Sequence, residues 1–119
     1  MYTVEQARAE LVRLLPQLDA IVALRADVAE LGAAVTFGTS TPLGGTPEFK
    51  AAQALLDEKL TALGDVDELQ VKGLAPLLLD FPAELDGEAV LLCWLEGDRE
   101  LQWYHRLDLG FAGRRRLEG

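Results

Sequence analysis

The stretch VLLCWLEGDRELQWYHRLDLGFAGRRR, residues 90–116, decides how this chain folds. It holds both tryptophans, the single cysteine and the single histidine, so it reads either as a site or as the core of a small sheet. EAVLLCWL and RELQWYHRL have the texture of two strands, joined at Gly97 and Asp98. A two-residue turn there sets Trp94 opposite Leu101, Leu92 opposite Trp103 and Val90 opposite His105. Directly opposed residues share a face. One face is then expected to carry Val90, Leu92, Trp94, Leu101, Trp103 and His105, packed toward the core. The other is expected to carry Leu91, Cys93, Leu95, Gln102, Tyr104 and Arg106.

That register bears on the chemistry. A thiolate–imidazole pair needs Cys93 and His105 within hydrogen-bond reach, and the expected register puts them on opposite faces. Cys93 is accordingly read as a small half-buried hydrophobe. A redox-sensing role for it would require an exposed thiolate. His105, closing an apolar strand face, is expected to satisfy a buried carbonyl or carboxylate, with Asp80 or Asp108 as partner. A structural zinc site wants four ligands of the cysteine and histidine type, and the chain offers two. Only a carboxylate-assisted or intersubunit site would remain; otherwise no metal and no cofactor is expected. Asp80 is costly to bury unpaired, so it is expected at the sheet edge or matched by Arg114, Arg115 or Arg116.

Outward from this hairpin, ELQVK alternates, PLLLDFP is a short apolar run, and Asp86-Gly87 marks a turn. The strands follow a helical half. Thr3 and Gln6 fit a capping box, and Val4, Ala7, Leu11, Leu14, Leu18, Ile21, Leu24, Val28, Leu31 and Val35 recur at three-and-four spacing. Pro16 lies inside that pattern and is expected to bend the helix rather than end it. A helix running to about Leu31 is roughly 40 Å long. TFGTSTPLGGTP reads as a flexible connection, and Thr46 and Pro47 open a second helix with Phe49, Ala52, Leu55, Leu56, Leu60 and Leu63 as its apolar side. The expected fold class is α+β: a long N-terminal antiparallel helical hairpin followed by a small antiparallel β-meander of three to four strands. We expect a single domain over 1–119, with the helical hairpin at about 3–64, the linker at about 36–46, the meander at about 68–108 and a C-terminal tail at 109–119.

Composition excludes several functions. With 119 residues and a net charge of −9, the chain has acids outnumbering bases 20 to 11, which argues against nucleic acid and against an anionic membrane surface. The N-terminus lacks the pattern of a signal peptide, no apolar run reaches membrane-span length, and one cysteine makes no internal disulfide. A cytoplasmic location is expected. There is no phosphate-binding glycine loop, no Ser/His/Asp pattern and no HExxH.

The C-terminal half resembles the domain-of-unknown-function family 2203. The likeness is carried by Asp80, Phe81, Pro82 and Ala83; by Gly87; by Leu92, Cys93 and Trp94; by Gly97 and Asp98; by Tyr104 and His105; and by Gly110, Phe111, Ala112, Gly113 and Arg114. YTVEQARAELVRLLP is similar to the family's N-terminus. The chain departs from the pattern at Leu77, Leu78 and Leu79, where the family has Gly-Leu-Val, at Tyr104, where it often has tryptophan, and at Arg116, where it tends to have proline. The resemblance implies an identity and no activity.

Two functions remain in view. The first is a non-enzymatic interaction protein that self-associates through its N-terminal helices, because the second helix is too short to cover the first one's stripe. The second is a small-molecule or metal-binding site, with or without catalysis, built from Asp80, His105, Asp108 and Arg114 and lined by Trp94 or Trp103. No catalytic residue and no ligand is identified.

Overall fold

A computed structural model describes residues 1–117; Glu118 and Gly119 of the expected tail lie outside the described residues. Two helices, α1 (Val4–Phe37) and α2 (Thr46–Gly64), precede five strands: β1 (Gln70–Leu74), β2 (Leu77–Leu85), β3 (Glu88–Leu95), β4 (Trp103–Arg106) and β5 (Arg115–Arg116). The sheet is an antiparallel meander in the order β1-β2-β3-β4-β5. The α+β expectation holds, with one strand more than counted from the sequence. The extra strand forms because a short 3₁₀ turn at Phe111–Gly113 returns the expected tail to pair with Trp103 and Tyr104. No described helix is long and apolar enough to cross a membrane.

The chain divides into two compact units. One is Leu15–Leu63, the other Met1–Leu14 together with the chain from Gly64 onward. Within Leu15–Leu63, α1 passes Pro16 unbroken and continues to Phe37, six residues beyond the expected end at Leu31. Gly38, at φ 65°, then supplies the left-handed stop, with the Thr39 amide donating to the Ala34 carbonyl at 3.0 Å. A Thr41–Gly44 bridge turns the chain. α2 is capped one residue earlier than expected: Gly45 accepts the first helical bond from Phe49, and the Glu48 carboxylate takes the Gly45 amide at 2.9 Å. The returning helix brings the Phe49 ring to 3.1 Å from where a Cβ on Gly32 would sit, so a bare backbone is needed there.

In the other unit, the Thr3–Gln6 capping box forms as expected, with both reciprocal bonds at 3.0 Å. Just before it, the Tyr2 amide donates to the Pro82 carbonyl at 2.8 Å, beside a parallel bridge from Tyr2 to Ala83. A strand residue's N–H and C=O point to the same side, so the proton that Pro82 lacks belongs to this edge and the β2–β3 ladder loses nothing. The Tyr2 ring meets Phe81 edge-on, with centroids 5.5 Å apart. Leu77, Leu79, Phe81, Ala83, Val90, Leu92 and Trp94 form the core face of the sheet, all buried, as are Ala7, Leu11 and Leu14 of α1.

The β3–β4 register differs from expectation by one residue, and this is the main correction. Cys93 pairs with Trp103, Leu91 with His105 and Val90 with Arg106. The midpoint between Cys93 and Trp103 falls on Asp98 itself, not between Gly97 and Asp98. Asp98 is the reason: its amide donates to the Leu95 carbonyl at 2.8 Å, and its carboxylate accepts the Leu95 amide at 3.0 Å. Its own carbonyl accepts the Trp94 indole N–H at 2.9 Å. These bonds build a wider loop in place of a two-residue turn. A one-residue slip moves every side chain to the opposite face. Trp103 and His105 therefore leave the Trp94 face and join Leu91 and Cys93.

Candidate metal centre

The hairpin β2–β3 turns at Asp86 and Gly87, both at positive φ (52° and 80°), as the Asp-Gly pair requires. Leu85 then faces Glu88, and unbroken pairing from there brings Asp80 opposite Cys93. β4 adds His105 on the far side of β3, opposite Leu91. Asp80 and His105 thus stand two strands apart, about 9–10 Å between backbones, and their side chains meet over β3. Asp80, Cys93 and His105 are all buried, and one ligand-type atom from each lies within 4.8 Å of the other two.

The hydrogen bonds define the protonation. His105 Nδ1 lies 3.0 Å from the Arg106 carbonyl, which only accepts, so Nδ1 carries a proton. Nε2 lies 3.3 and 3.2 Å from the two Asp80 oxygens. A charge-assisted N–H···O bond is ordinarily about 2.7–2.9 Å. The pair is looser, and Nε2 faces the carboxylate symmetrically. Burial pushes the Asp80 carboxyl above the usual carboxylate range, and the charge and hydrogen bond of His105 oppose it. Burial also pushes the Cys93 thiol up to about 12, with the Asp80 carboxylate adding to the effect and Arg114 countering it. Cys93 is therefore a neutral thiol, the opposite of the exposed thiolate that redox sensing needs.

The expected site residues divide. Asp80 and His105 meet, and Asp80 rather than Asp108 is the histidine's partner. Asp108 is exposed and sits 3.6 Å from Arg106, though it lines the same cavity as His105. Arg114 does not pair with Asp80 in any described ion pair; its guanidinium is held between the rings of Trp103 and Phe111, at 4.5 and 4.4 Å from their centroids. Trp94 is not part of the site. It lies on the core face with its indole N–H on Asp98, whereas Trp103 lies on the cluster's face. The placement of Cys93 on the face opposite His105 fell with the register, and the two now share a face with Asp80, the carboxylate-assisted arrangement that the sequence left open. Lys72 and Phe111 were also missed. They join Asp80, Leu91, His105 and Asp108 around a cavity of about 340 Å³. Lys72 reaches it because Gln70 pairs with Asp80, so strand alternation sets Lys72, two residues on, on the Asp80 face.

A family model described as "Uncharacterized conserved protein (DUF2203)" matches residues 1–117. No curated protein and no solved structure matches the chain.

Proposed function

The chain belongs to the DUF2203 family of uncharacterized conserved proteins, and from that starting point, which carries no activity, we propose that Asp80, Cys93 and His105 bind a divalent transition-metal ion. The observation that carries this reading is the convergence of a carboxylate, a thiol and an imidazole nitrogen within 4.8 Å in a buried place. Tetrahedral zinc, with bonds to nitrogen and oxygen of about 2.0–2.2 Å, separates those two atoms by about 3.3 Å. The 3.2–3.3 Å between His105 and Asp80 suits that spacing. The Nδ1 proton on the Arg106 carbonyl is the outer-shell bond that leaves Nε2 free for a metal. A dication with one thiolate and one carboxylate is neutral overall, which suits burial. Sulfur among the ligands favours zinc, cobalt or iron over magnesium or calcium. Three protein ligands leave a coordination position open, as in centres that bind a water or small molecule. The cavity reaches both Asp80 and His105.

The test is titration of chelator-treated protein with cobalt(II). The expected result is saturation at one ion per chain, with the thiolate-to-metal charge-transfer band that only sulfur ligation produces. Cys93→Ser should remove the band, and His105→Gln, which removes a ligand, should weaken binding by more than the about 10- to 100-fold that loss of an outer-shell partner costs. A protein that takes up no cobalt, or takes it up without that band, overturns the reading.

A second reading, self-association through the N-terminal helices, is favoured by α2. Leu63 is its buried side chain, whereas Phe49, Leu56 and Leu60 are half-buried and Leu55 is exposed. Val35 and Phe37 of α1 are exposed as well. Light scattering tests it: association should rise with concentration, and a strict monomer at high micromolar concentration refutes it.

A further inference from the structure

In a chain of net charge −9, three arginines converge on one groove. Arg8 from the first turns of α1, Arg99 from the β3–β4 loop and Arg116 from β5 line a cavity of about 670 Å³, within the usual range for small-molecule sites. Its remaining lining is aliphatic or amide except for Glu100, which accepts a hydrogen bond from the Gln102 side chain at 2.9 Å. Leu11, Leu101 and Leu117 are buried beneath it, while Val12 is 69% exposed, a large apolar side chain left uncovered among cations.

The arginines are not consumed by acids. Arg8 donates from Nε to the Leu101 carbonyl at 3.1 Å, a part-buried bond that anchors the guanidinium by one edge and leaves its Nη donors. Arg116 makes a long contact of 3.5 Å to the neutral Gln102 amide. Among the described residues, neither these two nor Arg99 forms an ion pair. Concentrated positive charge on an acidic molecule attracts an anion. Guanidinium groups match a carboxylate with two parallel donors. The groove has no aromatic ring for stacking a base, and its apolar part is purely aliphatic.

We propose that this groove binds a small amphipathic anion: an aliphatic chain of moderate length ending in a carboxylate. The head sits among Arg8, Arg99 and Arg116, and the chain lies over Val12 toward Leu11 and Leu117. This site is separate in residues from the Asp80–Cys93–His105 cluster, so it stands whether or not that cluster takes a metal.

The experiment titrates the full chain with octanoate, followed by calorimetry and by amide NMR shifts, with octanol as the neutral probe of equal length. Octanoate should bind saturably, with octanol at least about tenfold weaker. Arg99→Gln/Arg116→Gln should weaken octanoate at least about tenfold, while Arg115→Gln, exposed and outside the lining, should leave it unchanged. Val12→Asp changes an exposed side chain, keeps the fold, and should abolish binding by setting a carboxylate where the chain lies. The proposal is overturned if octanoate fails to bind, if octanol binds equally well, or if the double variant binds like the parent. It is overturned equally if an acidic helical peptide binds and octanoate does not.

Discussion

Replacing His105 with leucine in chelator-treated protein measures the polar cluster directly. Asp80 is 3% exposed, and its described polar partners are His105, the nearby Lys72 charge and Cys93. Removing the histidine leaves burial nearly unopposed at a carboxyl group that burial already pushes up. Stranding a buried carboxylate by removing its partner costs about 3–5 kcal/mol. For a chain of this length the unfolding entropy is about 0.25 kcal/mol per degree, so the melting temperature should fall by about 12–20 °C. Adding Asp80→Leu to the same chain removes the stranded carboxyl, and the double variant should return to within about 1–2 kcal/mol of the parent. Acid should narrow the deficit of the single variant. A carboxyl whose folded pKa is raised keeps its full stability below the unfolded pKa and loses it as pH rises toward the folded one. Circular-dichroism melts of parent, single and double variants across mild acid to neutral pH provide the assay. A His105→Leu shift under about 2 °C, or a double variant weaker than the single, refutes the reasoning.

Other perturbations read other parts of the molecule. Cys93, buried and with its thiol at about 12, should be silent to a thiol reagent in the native state and react fully in denaturant; native-state reaction on the minute scale contradicts its placement. Gly87→Val forces a β-branched residue to φ 80° and should cost about 1–3 kcal/mol in urea unfolding, whereas Asp86→Gly should be nearly neutral. Asp98→Ala removes the carboxylate that holds the Leu95 amide, and should lower stability by about 1 kcal/mol while altering the near-ultraviolet signal of Trp94; an unchanged spectrum and melt would show that the loop does not depend on it. Phe81→Ala opens a fully buried site and should cost about 3–5 kcal/mol.

Local chemistry made much of the fold legible. The Thr3–Gln6 box, the apolar stripe of α1 and the Asp86-Gly87 turn each depend on neighbours within a few residues, and each formed. Half of the cluster was legible by the same means. A two-residue turn at Asp86-Gly87 pairs Leu85 with Glu88, and counting back along the strands pairs Asp80 with Cys93. The Gly97-Asp98 hairpin misled because Gly-Asp fits a two-residue turn equally well, and strand alternation there is ambiguous: both faces of β3 are apolar and buried.

The sequence by itself determined two helices, four of the five strands, their order and their meander, because capping, periodicity and turn residues act over short range; it did not determine β5, which forms only where the tail returns to pair with β4. The tertiary structure decided which rare side chains meet. Asp98 folds back on Leu95 and Trp94 to set a loop one residue longer, and that single step turns His105 from the core face toward Asp80 and Cys93. It was decided there because a strand buried on both faces carries no hydrophobic preference for one register over the next, so hydrogen bonds in the loop choose.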